Sequence, residues 1–113
     1  MIDRAREIRG LPGFDVERLW LTFHLCSAPT ELSLLARRLS ALGAVNLDDV
    51  SGGFLYPKLP VANEPSAIGA RVEQVLGYAA VSGVHVLSVD LDTASEVGSS
   101  TFVELARFKP DGS

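Results

Sequence analysis

One cysteine, Cys26, stands in the whole chain, so no disulfide can close within it, which suits a reducing compartment. No apolar run approaches the roughly 18 residues that span a bilayer. The opening Met1-Ile2-Asp3-Arg4-Ala5-Arg6-Glu7 mixes charges with no apolar stretch behind it, unlike a secretory signal. A cytoplasmic setting with no membrane partner is the expectation. Cations are outnumbered, ten Lys and Arg against fourteen Asp and Glu, for a formal net charge of -4. Phosphate neutralisation supplies most of the affinity for duplex nucleic acid, so this balance disfavours nucleic acid as a partner. Phosphate-cradling glycine loops are missing too: Gly52-Gly53 and Gly98 open no helix in P-loop or dinucleotide spacing, and no cofactor is expected. Internal repeats and low-complexity tracts are absent.

What is present is a globular composition, 47% apolar and 21% charged over 113 residues, enough for one core without metals or cross-links. Residues 1–18 read as an arm or short helix ended by Gly10-Leu11-Pro12-Gly13, residues 19–108 as the folded domain, and 109–113 as a loose tail. Leu19, Leu21, Phe23 and Leu25 alternate with Trp20, Thr22 and His24, the signature of a half-buried strand. Ser27-Ala28-Pro29 predicts a helix start capped by Ser27, with Leu32, Leu35, Ala36, Leu39 and Leu42 as its apolar stripe and Gly43 at its close. A weaker strand is expected at 45–50, turning at Ser51-Gly52-Gly53 into a short partner at Phe54-Leu55-Tyr56 that Pro57 and Pro60 limit. Asn63-Glu64-Pro65-Ser66 starts a second helix, striped by Ile68, Val72, Val75, Leu76 and Ala79 and stopped by Gly83. Gly69 and Gly77 within it each cost about 1 kcal/mol of propensity, which predicts close packing there. Strands are expected over 84–91 and 101–108, joined by a polar loop.

This pattern predicts an α+β domain, a ferredoxin-like βαββαβ sandwich with two helices on one face of an antiparallel sheet and an extra C-terminal strand. Insertion of the last strand inside the sheet is the competing topology. The stretch Leu19-Trp20-Leu21-Thr22-Phe23-His24-Leu25-Cys26-Ser27-Ala28, leading into the Leu-rich helix, resembles the opening strand and helix of the family of the regulator of ribonuclease E activity B. Ile68-Gly69-Ala70-Arg71-Val72-Glu73-Gln74-Val75-Leu76 is similar to its second helix. The resemblance implies a ferredoxin-like fold and a non-enzymatic regulator that works by binding a ribonuclease. The long acidic tail of the best-known members has no counterpart after Arg107-Phe108-Lys109, which leaves the target open.

No catalytic, metal or cofactor residue emerges. His24 and Cys26 share a strand face, but by strand rise their Cβ atoms stand roughly 6–7 Å apart, loose for a nucleophile and its base. His85 and Asp90 have opposite parity, and Asp90 with Asp92 reads as strand-end solvation. The informative feature is the sheet face away from the helices, expected to carry Trp20, Thr22, His24, Phe54, Tyr56, Lys58, Val86 and Ser88. Trp20, His24, Phe54 and Tyr56 make it a candidate partner-contact face, covered by another protein, by a second copy in a homodimer, or by the arm or last strand. Stacking of single-stranded RNA there would need a basic groove, and Lys58 is the sole cation near Gly53-Phe54-Leu55-Tyr56. A small-molecule-sensing module of the same topology is the alternative function; its usual glycine loop before the first helix is missing from Cys26–Glu31. An enzyme would need a cleft built from His24, Cys26 and Asp90.

Overall fold

The computed structural model describes residues 2–48, 50, 52–93 and 102–108. The chain runs α1 (Ile2–Arg9), β1 (Arg18–Cys26), α2 (Pro29–Ser40), β2 (Phe54–Leu55), β3 (Lys58–Ala62), α3 (Pro65–Ser82), β4 (His85–Asp92) and β5 (Val103–Arg107). The fold is α+β: among the described residues, three helices and an open, antiparallel five-stranded sheet. Strand β1 lies centrally, with β2 and β3 on one side, β4 on the other and β5 outside β4. The last strand is thus an edge strand in a hairpin with β4, not an insertion. The expected loose tail, 109–113, lies outside the described residues, as does most of the polar loop before β5.

Strands β2 and β3 keep one register against β1, from Cys26↔Phe54 and Leu25↔Leu55 to Thr22↔Lys58 and Arg18↔Ala62. They form one ribbon interrupted at Pro57. That residue accepts from the Phe23 amide at 3.0 Å, but its ring nitrogen has no hydrogen to return the bond. The expected strand at 45–50 shrinks to a single bridge, in which Val45 and Lys58 exchange both backbone bonds at 2.9 and 3.0 Å. Asn46 follows with φ 63°, a left-handed backbone that turns the chain out of the strand; its side chain donates to the Tyr56 carbonyl at 2.8 Å.

Both long helices begin and end in the same way. Proline fills the first turn, and neither N-cap, Ala28 or Glu64, makes a side-chain capping bond. Ser27 does not cap α2 as expected; its hydroxyl donates instead to the Gly83 carbonyl, 3.1 Å away. At the C-termini, Gly43 (φ 86°) and Gly83 (φ 74°) take left-handed backbones. Crossed bonds close each end: Ala44 N to Leu39 O with Gly43 N to Ser40 O, and Val84 N to Ala79 O with Gly83 N to Ala80 O. Gly77 departs from expectation. It is exposed, and a Cβ there would meet nothing within 4 Å, so close packing does not explain it.

Leu19, Leu21, Phe23 and Leu25 form the core floor beneath Leu32, Leu35 and Leu39 of α2 and Ile68, Val72 and Val75 of α3. The N-terminal arm belongs to this core. Helix α1 packs against α3 and β5, buries Ala5 and Ile8, and leads to buried Phe14, whose carbonyl accepts from Asn63 Nδ2 at 2.7 Å. Arg4 of α1 donates from Nε to the Glu104 carbonyl of β5 at 3.2 Å. Neither α1 nor β5 crosses the opposite sheet face, so that expected cover is not supplied by them. No helix among the described residues is long and apolar enough to cross a membrane.

Candidate functional site

The outer sheet face is set out by the register. Cys26 lies between Phe54 and His85, Thr22 between Lys58 and Asp90, and Trp20 between Pro60 and Asp92. His24 is paired with Ser88, and on its other flank its ring meets Tyr56 edge-on at 5.3 Å between centroids. Two regions result: an aromatic corner and a polar strip.

In the corner, Phe54 and Tyr56 point the same way because they lie two apart on one ribbon. Their rings are parallel to within 4° with centroids 6.5 Å apart, and they are 45% and 42% exposed. His24 is half-buried beside them, and Trp20, also half-buried, lies four residues away along β1 on the same face. All four residues singled out in the sequence therefore share this face.

The polar strip differs from expectation. Lys58, predicted as the exposed cation, is 3% exposed, and Asp92, predicted as strand-end solvation, is 2% exposed. Lys58 Nζ meets Asp92 Oδ2 at 2.8 Å. Because Lys58 is on β3 and Asp92 on β4, this ion pair bridges over the central strand. Asp90 is buried as well, and its Oδ2 is 2.8 Å from His24 Nε2, a diagonal contact between adjacent strands. The hydroxyl of Thr22, between Lys58 and Asp90, is buried with no hydrogen-bond partner among the described residues. Val86 also moves from its expected place. A bulge after His24 shifts the register, Val86 pairs with Leu25, and it packs against the core.

Asp90 fixes the His24 ring, as a carboxylate does for a general base. A nucleophile is not joined to it. Among the described residues no hydrogen bond links Cys26 or Ser88 to His24, and no group of three or more His, Cys, Asp or Glu side chains could hold a metal ion. No protein-family model, curated protein or solved structure matches the chain. Farther out on β5, Arg107 holds both carboxylate oxygens of Glu104 at 3.0 and 3.1 Å. That hydrogen bond lowers the Glu104 carboxyl below its usual value and raises the Arg107 guanidinium above its own.

The cross-strand pairs were invisible to sequence reading because they depend on which strand lies beside which. Opposite parity predicted that His85 and Asp90 face apart, but the bulge after His24 brings both to the outer face, His85 opposite Cys26 and Asp90 opposite Thr22; the partner of Asp90 is His24, 66 positions away.

Proposed function

We propose that this chain is a non-enzymatic interaction domain of the regulatory kind, with a ferredoxin-like topology, that docks another protein on its outer sheet face. One observation carries the reading: the parallel, nearly half-exposed Phe54 and Tyr56 rings beside His24, with Trp20 farther along the same face. Exposed aromatics with an apolar body and a fixed orientation are favoured anchors in protein interfaces. The Lys58–Asp92 and His24–Asp90 contacts tie the three inner strands beneath them, so the anchors need little ordering on binding. The topology is favoured by the strand order, with the Val45–Lys58 bridge as the remnant of a further edge strand. The likeness of 19–28 and 68–76 to the ribonuclease E regulator family makes a ribonuclease the first partner to try, and a cytoplasmic setting fits it.

The test is capture of partners by wild-type and F54A/Y56A chains, with light scattering to read self-association. Loss of two interface anchors weakens the complex by about 30-fold or more. Equal recovery of every partner by both chains, with both monomeric, sinks the reading.

A further inference from the structure

A second concavity lies past the Trp20 end of the outer face, away from Phe54 and Tyr56, where the far end of the β1–β3 ribbon meets the first half of α3. It has a volume of about 890 Å³ and is lined by Arg18, Pro60, Val61, Ala62, Ala67, Ala70, Arg71, Glu73 and Gln74. The size falls in the range of small-molecule sites. Its helical wall follows from the sequence: Ala67, Ala70, Arg71 and Gln74 recur at three- and four-residue steps and so form one stripe of α3. The two alanines leave the space open, and the arginine and glutamine border it. On the other side, Arg18 pairs across the ribbon with Ala62.

The two guanidinium groups are unequal. Arg71 donates from Nη1 to Gln74 Oε1 at 2.8 Å, which fixes its plane while leaving its other N–H groups available. Arg18 is exposed, and its guanidinium has no hydrogen-bond or ion-pair partner among the described residues. Guanidinium groups match carboxylates and phosphates in a paired, planar geometry. Glu73 at the rim is the one carboxylate in the lining and opposes an anion. Two cations with one anion leave the groove net positive in a chain of net charge -4.

We propose that this groove binds a small organic molecule carrying two acidic groups, one for each arginine, with its carbon frame against Val61, Ala67 and Ala70. It is independent of the outer-face reading and shares none of its anchors. Carboxylate and phosphate are the two sources of that chemistry, so citrate and inorganic pyrophosphate are the probes. Titrating the isotope-labelled full chain by NMR at constant ionic strength, we expect saturable shifts at the Arg18 and Arg71 side-chain N–H groups and at the amides of 67–74. The probe that saturates at lower concentration identifies the acid. R18Q and R71Q should each weaken binding by about tenfold. A70L, at an exposed position, should abolish it by filling the groove, and E73Q should strengthen it. Absence of saturation for both probes, equal shifts with sodium chloride, or unchanged affinity in the R18Q/R71Q double variant would overturn the proposal.

Discussion

Lys58 and Asp92 show how a single residue can be misjudged from its neighbours in sequence. A lysine between two prolines reads as solvated, yet cross-strand pairing brings it over β1 to a carboxylate. Because both charges are buried, removing one leaves the other in a poor environment. D92N should cost about 3–5 kcal/mol, and K58M/D92L should recover most of that loss, as read by denaturant unfolding. Glu104 behaves differently because it is exposed. Its carboxyl titrates below the usual glutamate value, so its share of stability is present above the unfolded value and is lost as pH falls through the folded one. A carboxyl-carbon NMR titration should therefore give a depressed midpoint, and R107Q should move it back up. Parity along β1 was readable residue by residue: Phe23 is buried and Trp20 lies on the other side. The bulge that turns Val86 inward was not, since it is a property of two strands together.

Among elements, the helices were the most legible. The leucine stripe of α2 and the valine stripe of α3 both face the sheet, and glycine closes each helix where a left-handed backbone is required. The strand at 45–50 was over-read because β-branched residues alone do not secure a partner; after one bridge the backbone at Asn46 turns away. Gly77 within α3 and Gly83 at its C-cap should respond oppositely to substitution. G77A adds a helix-favouring methyl into open space and should stabilise by about 0.5–1 kcal/mol. G83A forces an L-residue into φ 74° and should destabilise by about 1 kcal/mol. Thermal unfolding of the two variants side by side should give midpoints that move in opposite directions.

At the scale of the whole molecule, the segment before Arg18 is part of the core. Its charged surface, Asp3 to Arg9, hides a spacing of three between Ala5 and Ile8 that is too short to signal burial by itself. Ile8 is fully buried, so I8A should cost about 2–5 kcal/mol, comparable to L35A on α2; a mobile arm would show no such loss in chemical denaturation. The outer face was foreseen as aromatic, and Trp20, His24, Phe54 and Tyr56 do lie on it, but the charges that tie its strands together were not foreseen.

The contact from Arg4 to the Glu104 carbonyl has a consequence for how copies of this chain can meet. It occupies an outward acceptor on the β5 border with a bulky cation, while on the opposite border Pro60 withholds a donor and Val45 claims both groups of Lys58. Among the described residues each rim is thus interrupted at one or more positions, which opposes pairing of the sheet edge with a neighbouring strand.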